Sequence, residues 1–356
     1  MDNYLITADG AEQEVRPDVV RRLIDSSALF WLDLDGLDQE DSDKLLRDTF
    51  GFHPLAIKDT ESFGQRPRLV SYDDVALLVL YGVSGTGELI EVHCFYTDAY
   101  LVTVHHHPCP QLRDVATRLR QQRQEQKQAA RRPDHVMVLY RVADTLVDGY
   151  FPVLDRFDDQ IDELEDEILH RPTDRQLGQL FDLKRSLIAI RRVVTPERDM
   201  FETLLSGTGA LPGMTAHAEP YFRDLYERLI RISDLVDSYR DLMSGALDTH
   251  LATVSNRLNV VMKQLTIIAT VFLPMSFLTG FFGQNFAWMV NRLTSLPVFL
   301  IVGVGLQALV LVVLLAYFKR RGWTSADGTV PAATPARRPS APRIERWRHL
   351  LLASEK

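Results

Sequence analysis

KQLTIIATVFLPMSFLTGFFGQNFAWMVNR, Lys263 to Arg292, encloses 28 consecutive residues without a charge, and a second uncharged run follows from Leu293 to Phe318. At 1.5 Å per helical residue, each run is long enough to cross a hydrocarbon core of about 30 Å. The pattern predicts two membrane-spanning helices within 264–318, the first ending in the polar triplet Gly283-Gln284-Asn285 and a short connector over 284–296. Everything else in the chain is organised around that pair.

The two runs take up a small part of 356 residues, which leaves enough chain for a water-soluble portion with its own core. A charged fraction of 25% suits such a portion. The first twenty residues lack an apolar stretch of signal-peptide length, so the N-terminal bulk is expected to stay in the cytoplasm. The connector offers one base, Arg292, whereas Lys319-Arg320-Arg321 directly follow the second run. The positive-inside rule then puts both termini on the cytoplasmic side. Cys94 and Cys109, the two cysteines, do not make a disulfide framework and fit a reducing compartment.

Residues 1–110 read as a cytoplasmic α/β domain, with β-rich runs such as Val70 to Tyr72, Val75 to Val83 and Tyr100 to Val104. Residues 111–263 read as a bundle of long helices and a stalk, which makes the soluble portion α+β as a whole. One helix is expected from about Asp134 to His170 with a kink at Pro152, and a second from Thr173 to Leu205. A third starts near Pro220 and meets no proline until Pro274, so a stalk would enter the membrane directly. Its stripe of Leu225, Leu229, Ile232, Val236, Tyr239, Leu242/Met243 and Leu247 calls for neighbours, with copies of the same helix as the first candidates. Residues 319–356 read as a basic, flexible cytoplasmic tail in which Arg343 to Leu352 has the pattern of a short amphipathic helix.

Read at a period near 3.5, one face of the first span and its approach carries Asn259, Met262, Leu265 or Thr266, Ala269, Leu273, Ser276 and Gly280. Two readings fit: a hydrophobic anchor whose small residues help helices pack, or the lining of a pore made by several copies. Gly283-Gln284-Asn285 is either a helix end at the interface or, in a symmetric ring, a stack of amide and backbone oxygens. Neither span nor connector holds an acid, so a pore here could not select cations with carboxylates. Neutral oxygens suit Mg²⁺, whose tightly held waters can donate hydrogen bonds to them without being stripped. Met262 and Leu265 would then be gate residues that close by dewetting, or else ordinary packing residues.

The run SNRLNVVMKQLTIIATVFLPMSFLTGFFGQNF, Ser255 to Phe286, resembles the signature of the CorA family of divalent-cation transporters. His53-Pro54-Leu55, Gln65-Arg66-Pro67-Arg68 and Pro220-Tyr221-Phe222-Arg223-Asp224 match further parts of it, and the likeness extends from about residue 25 to Trp323. The resemblance implies a homopentameric funnel in a bacterial plasma membrane, surrounded by lipid, that admits Mg²⁺ and also Co²⁺ or Ni²⁺ down the electrochemical gradient. It implies a selectivity filter at Gly283, Gln284 and Asn285, and a pore line of Asn259, Met262, Leu265, Leu273, Ser276 and Gly280. It also implies a regulatory divalent-ion site at Asp224, which by position alone is an acid favoured in a helix's first turns. Mg²⁺ is on this reading both cargo and regulator, and no cofactor is implied.

Two departures bear on the ion. Gln284 stands where the family has methionine, and the connector lacks the usual acids. The zinc-transporting ZntB branch also departs at the triplet's middle position, so proton-coupled Zn²⁺ transport is an alternative, and a non-conducting metal sensor or scaffold is another.

Weaker patterns remain. His93, Cys94, His105, His106, His107 and Cys109 are potential ligands for Zn²⁺ or Ni²⁺, although neighbouring strand residues point to opposite faces. Asp155 to Glu167 holds eight acids in thirteen residues, read as a solvated helix face or as a collector of divalent ions. Arg113 to Arg132 is basic but lacks the aromatics a nucleic-acid surface needs. No glycine-rich phosphate loop and no nucleophile–base pair stands out, which argues against an enzyme and against a nucleotide partner.

Overall fold

The structure, a computed structural model, describes residues 3–7, 12–13, 15–36, 44–126, 135–207, 211–284, 287, 291 and 295–323. It falls into two compact units, Met1–Leu251 and Ala252–Lys356. Asn285 and Arg292, most of the connector, and the tail from residue 324, with its amphipathic stretch at 343–352, lie outside the described residues.

The first unit is built on a seven-stranded mixed sheet in the order β2-β1-β3-β7-β6-β5-β4. Its strands are β1 (Tyr4–Thr7), β2 (Glu12–Gln13), β3 (Phe30–Asp35), β4 (Arg68–Tyr72), β5 (Val75–Val83), β6 (Leu89–Tyr96) and β7 (Tyr100–His105). β3 and β7 run parallel in register Phe30↔Tyr100 to Asp35↔His105, and the other pairs are antiparallel. All six residues of β3 are buried, which is what a strand covered on both faces requires. Side chains alternate between two cores: Trp31 points into one, while Phe30, Leu32 and Leu34 point into the other.

The smaller core lies under α1 (Pro17–Asp25), a π-helical turn (Leu45–Thr49) and α2 (Pro54–Glu61). The larger joins the opposite sheet face to α3 (Pro110–Gln126), α4 (His135–Asp148), α5 (Tyr150–His170), α6 (Asp174–Leu205) and the first half of α7 (Glu219–Phe282). α6 begins where sequence predicts, on a Thr173 capping box in which the Thr173 N–H donates to Gln176 Oε1 at 2.8 Å.

Two expectations need correction. The helix through 134–170 is not kinked at Pro152 but broken at Gly149, giving α4 and α5. Pro152 has no N–H for the carbonyl of Asp148, four residues back, so the helix separates one turn earlier. Glycine is suited there, because a Cβ at 149 would lie 3.3 Å from Gln111 Nε2 and 3.5 Å from Val83 O. The second correction concerns the α7 stripe. Leu225, Leu229, Ile232, Val236, Tyr239 and Met243 are buried within one chain, so copies are not what covers them. Phe222 meets Phe201 of α6 with ring centroids at 6.2 Å, and Asp237 pairs with Arg191 of α6 at 3.1 Å. Unpartnered apolar surface on α7 begins only at Leu251.

The second unit contains the rest of α7 and α8 (Leu296–Arg320), which includes a π-helical stretch at Phe299–Gly305. Both helices are long and apolar enough to cross a membrane, and their most apolar stretches are not buried by the described part of the chain.

Candidate functional site

α7 continues through Pro274 to Phe282, so residues 255–282 keep helical register and the proposed pore line can be tested as a face. Asn259, Met262, Leu265, Leu273, Ser276 and Gly280 are all exposed, Leu273 to 74% and Met262 to 66%. Half-buried positions recur instead at Asn256, Val260, Lys263, Ile267, Pro274 and Leu278. At 100° per residue the two stripes are centred about 140° apart. From the half-buried stripe Lys263 Nζ donates to Gly322 O, in the turn after α8, at 3.4 Å. The pore-line residues therefore share one face, and that face has no cover from the described part of their own chain.

Much of the polarity on this helix is already engaged. Thr266 Oγ1 donates to Met262 O and Thr279 Oγ1 to Met275 O, each at 2.8 Å. Gln307 Nε2 of α8 donates to Thr279 Oγ1 at 3.1 Å, a polar link between the two apolar helices. The helix tightens as it ends: Gly283 N–H donates to Thr279 O at 2.9 Å, and Gln284 N–H reaches back only three residues, to Phe281 O, at 3.3 Å. A Cβ at Gly283 would lie 3.0 Å from Thr279 O, so the end closes most easily with glycine. Gly283 and Gln284 are exposed; Asn285 lies outside the described residues.

In the first unit Asp224, on the first turns of α7, has a partner that sequence reading missed. Arg228, one turn on, sits 2.7 Å from Asp224 and 2.6 Å from Asp148, and also pairs with Asp144. Tyr140 Oη donates to Asp144 Oδ1 at 3.1 Å. Burial works against the charge on Arg228, whose side chain is 16% exposed, but the three carboxylates outweigh it and raise its pKa. Burial pushes Asp148 upward, helped by Asp144 and Asp224 and opposed by Arg228. The four-residue spacings Asp144/Asp148 and Asp224/Arg228 were visible in sequence; what was not visible is that α4 and α7 lie side by side.

In the histidine and cysteine pattern His93, Cys94, His105 and Cys109 are buried, while His106 and His107 are exposed. His93 Nε2 pairs with Glu91 at 2.8 Å, and His105 lies between Asp33 (3.2 Å) and the carbonyl of His107 (2.8 Å). Burial lowers the His105 pKa, but Asp33 overrides it and the net direction is upward. Cys94 and Cys109 are buried free thiols. No His, Cys, Asp and Glu cluster with metal-holding geometry is found among the described residues. The acids of Asp155 to Glu167 lie on α5, most of them exposed.

A family model described as CorA-like Mg2+ transporter protein matches residues 26–320. The chain is 33% identical over 306 residues to the cobalt/magnesium transport protein CorA of Thermotoga maritima, covering 84% of each. It is 27% identical over 293 residues to the zinc transport protein ZntB of Yersinia enterocolitica, covering 80% of this chain and 84% of that one. Among solved structures, the CorA magnesium transporter from Methanocaldococcus jannaschii superposes with a TM-score of 0.75 at 20% identity, over 91% of this chain and 99% of that one, a likeness of fold.

Proposed function

The chain belongs to the CorA-like Mg2+ transporter family, as a membrane protein with two C-terminal spans that moves divalent metal cations, and on that premise we propose that it is a Mg²⁺ influx channel. Several copies, five by family likeness, set their α7 helices around an axis in the bacterial plasma membrane, with both termini in the cytoplasm. The observation that carries this reading is the face of Asn259, Met262, Leu265, Leu273, Ser276 and Gly280, exposed along α7 and turned away from the half-buried stripe. A mixed apolar and small-polar face of that length, left uncovered, suits copies of itself better than lipid on every side.

In such a ring Gly283, Gln284 and Asn285 form the outer filter, where amide and carbonyl oxygens accept hydrogen bonds from the waters of hydrated Mg²⁺. Met262 and Leu265 form the constriction that closes by dewetting. Permeation follows the membrane potential, which is worth about 2.3 kcal/mol per elementary charge per 100 mV. Asp224 contributes to regulation by cytoplasmic Mg²⁺, in balance with Arg228, which already supplies it with positive charge. Domain roles follow the same division: 1–110 and 111–263 as the regulatory cytoplasmic portion, 264–318 as the conduction path and 319–356 as the tail.

One observation favours a second reading. Gln284 and a connector with no acid separate this chain from the pattern of Mg²⁺ carriers, and ZntB is among its relatives, so proton-coupled Zn²⁺ transport is the competing assignment. Reconstitution in liposomes with Mg²⁺, Co²⁺, Ni²⁺ and Zn²⁺ in parallel separates them. Mg²⁺ uptake that ignores a pH gradient and disappears in Asn285→Ala supports the channel. Zn²⁺ uptake stimulated by protons supports the second reading, and absence of any flux leaves a sensor or scaffold.

A further inference from the structure

A cavity of about 500 Å³ opens in the Met1–Leu251 unit, within the size range of small-ligand sites. One wall is a stripe of α6 that presents Arg185 and Arg192, and Arg66 approaches from the loop after α2. Tyr81 of β5 and Glu91 of β6 also line it.

Glu91 is the one carboxylate in this lining, and its charge is already engaged. It accepts from the backbone N–H groups of Gly64 and Gln65, from Tyr81 Oη at 2.9 Å, and pairs with His93 at 2.8 Å. The arginines are differently placed. Among the described residues neither Arg66 nor Arg192 has a carboxylate within ion-pair distance, and Arg185 has only an exposed Asp182 at 3.7 Å. Neighbouring Arg191, outside the cavity, pairs with Asp237 at 3.1 Å. In a chain with 48 acids against 40 bases, three guanidinium groups around one satisfied carboxylate is a local excess of positive charge. Phe63 adds little stacking surface, since His106 and His93 lie against it at centroid distances of 4.0 and 4.9 Å.

We propose that this cavity binds a compact phosphate-bearing polyanion through Arg66, Arg185 and Arg192. Guanidinium forks pair with phosphate oxygens two at a time, and Arg66 and Arg192 lose no ion pair to a described residue in doing so, while Arg185 gives up only its long, exposed contact with Asp182. The occupied ring of Phe63 favours recognition of the phosphates over a base. The lining residues belong to the first unit and the proposed pore line to the second, and a direct binding measurement tests the site whatever the transport assay returns.

The experiment is calorimetry on the full-length chain in detergent, free of divalent cations, titrated with inorganic pyrophosphate and, separately, with ATP. Wild type is expected to bind one pyrophosphate per chain, Arg66→Ala/Arg192→Ala to bind at least about tenfold more weakly, and Arg191→Ala to bind as wild type. ATP binding equal to pyrophosphate assigns nucleotide phosphates as a source; weaker ATP binding assigns the free inorganic anion. Arg66 and Arg192 are exposed, so the double variant should melt within a few degrees of wild type. No wild-type binding at about 1 mM pyrophosphate, or a double variant that binds within twofold of wild type, overturns the proposal.

Discussion

Replacing Glu197 with glutamine should make the protein more stable at alkaline pH and leave it nearly unchanged near pH 5. Glu197 is 1% exposed on α6, its Oε1 accepts the Tyr81 N–H at 3.3 Å, and its Oε2 has no hydrogen-bond partner among the described residues. Burial raises its pKa to about 8 from 4.5, with the Tyr81 N–H pulling weakly the other way. The folded chain therefore keeps a proton that the unfolded chain releases. This contribution is complete below about pH 4.5, shrinks as pH rises, and levels off above about 8. At 1.36 kcal/mol per pH unit the interval amounts to about 5 kcal/mol, an upper figure because water and side chains relax around a buried charge.

Glutamine retains the acceptor for Tyr81 and never ionises. Melting of the full-length chain in detergent, followed by tryptophan fluorescence between about pH 5 and 8.5, should show wild type falling roughly 10 °C relative to Glu197→Gln, at 2–4 °C per kcal/mol. His105, whose pKa is also raised, loses stabilising charge as pH rises in both proteins, so it cancels in the difference. Glu91, held below its ordinary value, contributes a constant amount above about pH 4.5. Parallel melting curves for the two proteins, or a variant that melts lower at pH 8.5, would refute the assignment of a neutral, buried Glu197.

Other perturbations follow from the same geometry. Arg228→Gln leaves Asp144, Asp148 and Asp224 without their cation; because two of these are half exposed, the expected loss is about 1–3 kcal/mol, read as a lower melting point in EDTA that millimolar Mg²⁺ partly restores. Met262→Ser should raise basal leak in liposomes by wetting the proposed constriction, and an unchanged leak would remove Met262 from the gate. Gly283→Ala sets a methyl 3.0 Å from Thr279 O and should cut flux severalfold while assembly, judged by size-exclusion chromatography, is retained.

Much of this protein follows from local pattern. Two uncharged runs of bilayer length, the helical spacing of apolar residues from Leu146 onward and the Thr173 cap are short-range properties, and they return as α8, the membrane part of α7, α5 and α6. The common face of the pore-line residues is likewise legible in the sequence, because helical periodicity alone sets their shared direction. What covers each face is a different matter. The stripe from Leu225 to Met243 and the face from Asn259 to Gly280 have similar periodicity, yet the first is buried in its own chain and the second is bare. Burial depends on which distant segments arrive alongside, and periodicity does not encode that. For the same reason Arg228 acquired three carboxylates from two helices, Glu197 met the backbone of β5, and Arg66 came to share a cavity with Arg185 and Arg192. Contacts between segments that are distant in the chain arise from the packing of the whole core, and only the tertiary structure decided them.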